Sequence, residues 1–180
     1  MAEECRHAEM ELAGGVARND EACVAAFFRA YHAGVYRFML GLTNNVEDAE
    51  DLAQDSLLRA KAQIKSFRGE SRLKTWVHCV AFHTFTHWSR KRKPRSDLKE
   101  SIPASGEPYR QVDAAQTLLA SLAQIGPALA QPLVLQEIND LSIEEIAVVL
   151  GIPEGTVKSR LFTARKRLIH ILGEPYVPSR

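Results

Sequence analysis

Apolar residues recur along most of the chain at steps of three and four, which is the spacing of one buried face on a helix. Segments with this spacing extend over residues 20–42, 46–64 and 73–88. No stretch of useful length alternates with the period of two that a half-buried strand shows. The pattern therefore predicts a helical bundle within residues 20–93.

The helical pattern stops at Pro94. From Pro94 to Thr117 the chain has three prolines, one glycine and scattered charges without an apolar period, which is typical of a flexible linker. Helical spacing resumes at Leu118. We therefore expect an all-α chain with two small helical domains joined by this linker, namely residues 20–93 and 118–173, together with an N-terminal extension (1–19) and a tail (174–180).

Residues 141–168 carry the most specific local signals in the chain. Ser142 and Glu145 fit a capping box, in which each side chain satisfies an unpaired amide at the start of a helix. Gly151 can adopt the left-handed conformation that ends that helix, and Pro153 suits the first turn of the next one. Two helices joined by so short a corner predict a helix-turn-helix.

The second of these helices combines an apolar stripe with a basic surface. Its charged residues from Lys158 to Arg167 are all positive, and such a helix fits the major groove of DNA. A solvated basic face is the alternative interpretation, but the capped first helix and the tight corner favour DNA binding. One helix reads only about four base pairs, so selectivity requires either a dimer or a second DNA-contacting module in the same chain.

Composition places the 180-residue chain among globular proteins, with 46% hydrophobic and 25% charged residues. No apolar run is long enough to cross a bilayer, and the first twenty residues lack the pattern of a signal peptide, so we expect a cytoplasmic protein without membrane insertion. The three cysteines are an odd number without framework spacing, which favours reduced thiols.

Charge is segregated along the chain although the net charge is only +1. Residues 47–55 hold five carboxylates and no cation, whereas the charged residues of 90–95 are all basic. Asp48, Asp51 and Asp55 share one helical face, which repels DNA and is suited to docking on a positively charged protein. Enrichment of acids at a helix N-terminus is the simpler alternative for Asp48, but it explains Asp55 less well.

Aromatic and basic residues alternate between positions 67 and 92, a mixture suited to stacking on unpaired bases beside phosphate contacts. Most of these aromatics are expected to lie in the core. The loop from Arg68 to Lys74, which precedes Trp76, is the better candidate for contact with a splayed base.

Cys79, His83 and His87 stand four residues apart and are competent zinc ligands by type. Three ligands on one straight helix do not easily close a tetrahedron, so we expect no metal site and no cofactor. A bound metal would need a group from elsewhere in the chain, such as His78 or the Cys5 and His7 pair. The chain also lacks a glycine-rich phosphate loop, paired catalytic acids and a nucleophile elbow, and we therefore expect no enzyme activity.

Three segments resemble the conserved regions two and four of bacterial sigma factors of the extracytoplasmic-function (ECF) type. They read DAEDLAQDSLLRA (48–60), FRGESRLKTWVHCVA (67–81) and LSIEEIAVVLGIPEGTVKSRLFTARKRL (141–168). The resemblance covers about residues 20–172 and implies a dissociable specificity subunit of RNA polymerase. Such factors direct promoter-specific initiation and are commonly controlled by an anti-sigma factor, often a membrane protein.

The resemblance also implies three sets of site residues. Core RNA polymerase would be bound by Asp48, Asp51, Gln54 and Asp55. The melted minus-10 element of promoter DNA would be contacted by Arg68, Ser71, Lys74, Trp76, His78 and His83. The duplex minus-35 element would be contacted by Thr156, Lys158, Ser159, Arg160, Thr163, Arg165 and Lys166.

Two departures from the family pattern accompany this resemblance. Where family members read approximately WLYRIARN, this chain reads WVHCVAFH, so that Phe82 and His83 replace an arginine and an asparagine. Pro132 falls where the family has a charged helix, and we expect that helix to start late because proline removes a backbone hydrogen bond. A stand-alone helix-turn-helix regulator that binds DNA as a dimer is the alternative function.

Overall fold

The structure, a computed structural model, describes residues 2–91 and 109–172, with side chains described for 6–91 and 117–172. Within these ranges the chain forms eight α-helices, a 3-10 turn at Ile64–Ser66 and no strand, which confirms the predicted all-α class. The helices are α1 (Ala2–Ala17), α2 (Glu21–Thr43), α3 (Val46–Gln63), α4 (Leu73–Lys91), α5 (Tyr109–Ile125), α6 (Pro127–Glu137), α7 (Ile143–Leu150) and α8 (Glu154–Leu172).

Side-chain caps set the helix boundaries of the first module, which comprises α1–α4. Asp20 starts α2 by accepting a hydrogen bond from the Cys23 amide at 2.9 Å. Asn44 ends α2 in the left-handed conformation with φ of 50°, and Asn45 starts α3 by accepting from the Asp48 amide at 2.9 Å. The adjacent asparagines therefore close one helix and open the next.

Helices α2, α3 and α4 pack around a core in which Phe27, Phe38, Leu57 and Leu73 are fully buried. The segment expected to be an N-terminal extension also belongs to this core, because Val16 of α1 is buried against it. Periodicity indicated this helix only weakly, since α1 contacts the module through small residues such as Ala13 and Gly15. A Cβ atom at Gly15 would overlap Cys23 Sγ, so α1 lies very close to α2.

The second module comprises α5–α8, and its first two helices differ from the expectation. Helix α5 begins at Tyr109, so the last nine residues of the expected linker 94–117 are helical; the sequence from 109 onward contains no proline or glycine until Gly126. Residues 94–108 and the expected tail 174–180 lie outside the described residues.

The expectation that the helix at Pro132 starts late is wrong. Helix α6 begins at Pro127 and includes Pro132, which is buried. A proline inside a helix costs about 3 kcal/mol because it removes one backbone hydrogen bond. Packing of α6 against α2 and α8 compensates for that loss, because Leu133, Val134 and Leu135 are buried there.

The two modules pack directly against each other in this structure. Helix α2 contacts α5 and α6, and α4 contacts α7, so that one continuous set of buried apolar residues extends through both modules. The sequence did not predict this arrangement, since a flexible linker is compatible with both separated and adjacent modules.

The capping box at the start of α7 gives a direct stability prediction. The Glu145 amide donates to Ser142 Oγ at 3.2 Å and the Ser142 amide donates to Glu145 Oε2 at 2.9 Å. We expect Ser142→Ala to lower the free energy of unfolding by about 1 kcal/mol in urea titration. Ser89→Ala, which removes an exposed hydroxyl from the last turn of α4, is the control and should change it by less than about 0.5 kcal/mol. Equal effects of the two substitutions would contradict the capping role.

Candidate nucleic-acid and polymerase interfaces

The acidic residues of α3 lie on its outer face, opposite the side that packs on α2 and α4. Asp51 and Gln54 are exposed, whereas Asp48 and Asp55 are partly buried. Both carboxylate oxygens of Asp55 accept from Arg59 Nε at 2.9 Å, which compensates part of its charge. The structure thus brings all four predicted polymerase-binding residues to one surface, with Asp51 its most exposed charge.

The loop between the 3-10 turn and α4 forms an open, mostly polar pocket of about 380 Å³. Three of the residues predicted to contact the minus-10 element, Arg68, Ser71 and Trp76, line this pocket. Trp76 lies against the buried Phe67 with ring centroids 5.7 Å apart, which fixes one indole face while the side chain stays partly exposed. A cation, a hydroxyl and an aromatic ring around one concave site are the groups that bind an unstacked base.

Glu9 of α1 orients this loop, and the sequence analysis did not identify it. The Leu73 amide at the start of α4 donates to Glu9 Oε2 at 2.9 Å, and Arg72 Nε lies 3.9 Å from Glu9 Oε1. Met10 covers the loop at Gly69, where φ is 73°. Because Glu9 is distant in sequence from the motif that it caps, no local pattern indicated this contact.

The remaining three residues predicted for minus-10 contact occupy different environments. Lys74 is partly buried on the first turn of α4, and His83 is exposed two turns further along. His78 is only 1% exposed and lies between the two modules, so it is closed to DNA in this conformation. The family resemblance assigned His78 to the minus-10 contacts, and no local pattern indicated that the second module, which is remote along the chain, covers it.

The hydrogen bonds of His78 fix its ring in one neutral form. Nδ1 lies 2.8 Å from the Lys74 carbonyl oxygen, so Nδ1 carries the proton and donates. Nε2 then accepts from Asn139 Nδ2 of the second module at 3.0 Å. The pKa of His78 is lowered from 6.5 to about 4, chiefly by burial and in part by the positive charge of Lys74, against the opposing effects of the Lys74 carbonyl and Glu145.

Helix α8 presents a strip of four polar residues at positions i, i+3, i+4 and i+7: Thr156, Ser159, Arg160 and Thr163. Ser159 Oγ donates to the Thr156 carbonyl at 3.0 Å and Thr163 Oγ1 to the Ser159 carbonyl at 2.9 Å, which leaves both oxygens free to accept. The buried side of α8, formed by Val157, Leu161, Ala164 and Leu168, holds this strip toward the surface.

The other three predicted minus-35 residues, Lys158, Arg165 and Lys166, line a separate groove of about 430 Å³ that also contains Phe162. Phe162 is 71% exposed. Arg165 donates from one terminal nitrogen to Gln136 Oε1 and Glu137 Oε1, both at 2.6 Å, and so ties α8 to α6. The structure therefore divides the predicted minus-35 set between two faces, with Arg165 engaged by a carboxylate of its own module.

The cysteine and histidine residues of α4 do not converge. His83 and His87 are exposed, whereas Cys79 is partly buried and burial raises the pKa of its thiol. In the part of the chain that the structure describes, no three side chains of His, Cys, Asp or Glu are placed to hold a metal ion. Among the same residues, no helix combines the length and hydropathy needed to span a bilayer.

Both modules match known protein families. Residues 27–95 match the model for sigma-70 region 2, and residues 115–168 match the model for sigma-70, region 4. RNA polymerase sigma factor YlaC of Bacillus subtilis (strain 168) is 30% identical over 150 residues, which are 78% of this chain and 87% of YlaC. ECF RNA polymerase sigma factor SigM of Mycobacterium tuberculosis (strain ATCC 25618 / H37Rv) is 29% identical over 167 residues, 92% of this chain and 85% of SigM.

A solved structure shows the same likeness. The sigma factor RpoE, in complex with the anti-sigma factor NepR from Bartonella quintana, matches with a TM-score of 0.73 and 27% identity, covering 83% of this chain and 96% of that chain. The two modules and their helix-turn-helix thus define the sigma-70 class of transcription proteins. Within that class, the chain belongs to the ECF sigma factors.

The buried neutral His78 predicts loss of stability in mild acid. Because the folded-state pKa of about 4 is below the ordinary 6.5, the unfolded chain takes up a proton first as the pH falls. The contribution of neutral His78 is complete above pH 6.5 and is lost as the pH falls toward 4. Between pH 7 and pH 5 we expect the free energy of unfolding to fall by about 2 kcal/mol through this group.

Urea titrations at the two pH values would measure this loss, with His78→Gln as the control that cannot titrate. The pH-dependent loss should be smaller in the variant by about the same 2 kcal/mol, whatever its stability at pH 7. Identical pH dependence in wild type and variant would contradict the buried neutral state of His78.

Proposed function

We propose that this chain is an alternative sigma factor that binds core RNA polymerase through the acidic face of α3 and directs promoter-specific initiation. The melted minus-10 element enters the pocket at Arg68, Ser71 and Trp76, with Lys74 and His83 along the same helix. The duplex minus-35 element meets the strip at Thr156, Ser159, Arg160 and Thr163. The observation that carries the proposal is the presence, in one chain, of a carboxylate face on α3, a pocket lined by a cation and an aromatic ring, and a polar strip on α8.

The chemistry of these surfaces explains why promoter selection requires all three of them together. A carboxylate face cannot lie on DNA phosphates, so it delivers the chain to a basic protein surface. The α8 strip reads only about four base pairs at roughly 1–3 kcal/mol each, which is too little to select a promoter alone. Tethering both DNA surfaces to one polymerase raises the effective concentration of each at its element.

The proposal assigns no catalysis to the chain itself. It acts as a specificity subunit, and the polymerase performs the chemistry in the cytoplasm. The alternative of a stand-alone helix-turn-helix regulator is not favoured, because such a protein needs no sigma-70 region 2, which residues 27–95 match.

An anti-sigma factor is the proposed regulator of this chain. The solved relative RpoE is held in a complex with the anti-sigma factor NepR, and the match between RpoE and this chain has 27% sequence identity. The partner is expected to cover surfaces used for polymerase or promoter binding. A membrane anchor, where the anti-sigma factor has one, belongs to that partner and requires no change in the fold of this chain.

Charge reversal on α3 tests the polymerase surface. We expect Asp51→Lys to weaken binding to core RNA polymerase by tenfold or more, about 1.4 kcal/mol, because it places a cation against a basic partner. The matched control is Glu50→Lys, which makes the same charge change beside His32, where the two side chains are 3.8 Å apart. Equal loss in the two variants, measured by fluorescence titration with core enzyme, would contradict docking through this particular face.

Truncation on α8 tests the minus-35 surface. We expect Arg160→Ala to lower promoter-dependent initiation by about tenfold while binding to core polymerase stays within twofold, because one base contact is worth roughly 1–3 kcal/mol. Arg29→Ala, which removes an exposed guanidinium from α2, serves as the control. In vitro transcription and core binding would be measured in parallel, and a parallel fall in both would contradict the division between the two surfaces.

A further inference from the structure

The surface where the modules meet contains two glycines of one helix, which a nonspecific contact between two domains would not require. Helix α2 contains two glycines, Gly34 and Gly41, seven residues apart and so on the same face of the helix. Both point to the second module. A glycine inside a helix is less favourable than alanine, so the stability that α2 loses at these two positions must be compensated by other contacts.

The compensation is close approach of the second module to the α2 backbone. A Cβ atom at Gly41 would lie 2.7 Å from Val134 Cγ2, and one at Gly34 would lie 3.3 Å from Asn139 Nδ2. Val134 and Asn139 belong to α6 and the turn that follows it. A side chain at Gly41 would therefore press on Val134 and force α2 and α6 apart, whereas one at Gly34 would displace the Asn139 amide from its hydrogen bonds by a few tenths of an ångström. The two positions form a seam along which α6 and the following turn approach the α2 backbone closely.

A buried polar cluster closes the same interface beside Gly34. Asn139 is 1% exposed, and its Nδ2 uses both hydrogens across the interface, donating to the Gly34 carbonyl at 2.8 Å and to His78 Nε2 at 3.0 Å. One turn away, Thr75 Oγ1 donates to Glu145 Oε1 at 2.7 Å. These donors and acceptors match only when the modules lie in this relative position, so the cluster specifies one docked arrangement.

We propose that the α2–α4 face of the first module is a docking surface for the chain's own second module, and that the free chain is held by it in a closed, self-inhibited state. The segment of the second module that covers this surface consists of α6, the turn at Asn139 and the start of α7. Closure requires no anti-sigma factor. Docking itself is independent of the proposed function, whereas its inhibitory effect rests on it.

Distance alone makes the closed state inactive on a promoter. Elements centred at minus-35 and minus-10 are about 25 base pairs apart, or about 85 Å of B-form DNA at 3.4 Å per base pair. Two modules in direct contact cannot occupy both positions. In addition, Glu144 and Glu145 of α7 face Ser71 and Arg72 across a cleft of about 520 Å³, so closure places carboxylates beside the proposed minus-10 loop. The seam must therefore open before the chain can work.

Glycine-to-alanine substitution in the seam can disrupt the contact between the modules without destabilising the helix that carries it. Alanine at position 34 or 41 favours the α2 helix, so it should preserve the first module, yet it should separate the modules. The full-length double variant Gly34→Ala/Gly41→Ala would be compared with wild type by small-angle X-ray scattering. A compact chain of this length has a radius of gyration of about 16 Å. We expect the variant to exceed wild type by at least about 4 Å with unchanged helical circular dichroism.

Gly14→Ala is the matched control, because a Cβ atom there would meet only Arg18 Nη1, at 3.5 Å, within α1 itself. It should leave the radius of gyration unchanged. A second variant adds Val134→Ala to Gly41→Ala, removing the methyl groups that the new Cβ would meet, and should return the radius toward the wild-type value. If the double variant loses helicity, this rescue still shows whether contact between position 41 and Val134 controls docking of the modules.

Binding to core RNA polymerase, measured on the same proteins, tests the inhibitory effect. If the closed form makes up nine-tenths of the free chain, opening should raise the apparent affinity about tenfold. An expanded wild type, an unchanged radius in the seam variants or a failed rescue would overturn docking. Expansion without a gain in affinity would overturn self-inhibition. If the seam variants expand but no form of the chain binds polymerase, the proposed function fails while docking stands.

Discussion

The hydrogen bond from Asn139 to neutral His78 is the interaction on which the observed architecture depends. It joins the helix of the proposed minus-10 contacts to the turn that precedes the helix-turn-helix, and both side chains are almost fully buried. The imidazole accepts this bond only while it is uncharged, since its other nitrogen is committed to the Lys74 carbonyl. The packing of the two modules against each other thus depends on the neutral state of a single ring.

Segregation of charge is the second constraint on the molecule. A net charge of +1 is too small to attract DNA, but the acidic face of α3 and the basic surface of α8 lie on different helices of different modules. A protein with this distribution is steered to a basic protein partner by one surface and to DNA by another. A single reading helix selects DNA only weakly, so binding to the protein partner is expected to come before selection of the promoter.

The sequence predicted those parts of the structure that depend on local spacing and caps. Helices α2, α3 and α4 and the capping box at Ser142 are confirmed, because periodicity and capping chemistry act within a few residues. The residues of the strip around Arg160 came from the family resemblance, and the apolar stripe of α8 holds them on the side away from the core.

Contacts between segments that are distant in sequence could not be predicted in this way. His78 was expected at a DNA surface but is covered by Asn139, and Glu9 caps α4 from a helix that had seemed peripheral. Pro132 was expected to delay α6, yet tertiary packing outweighs the lost hydrogen bond. In each case the deciding neighbour lies tens of residues away, where neither periodicity nor a motif gives a signal.

Core RNA polymerase is proposed to convert this chain from a weak DNA reader into a selector of start sites. The direct measurement is binding of the unmodified chain to a pool of genomic duplexes, with and without core RNA polymerase, followed by sequencing of the retained fragments. We expect weak, unselective retention by the chain alone and strong enrichment of fragments with a common pair of spaced elements when polymerase is present. Tight, selective retention by the chain alone, as a dimer and unaffected by polymerase, would contradict it.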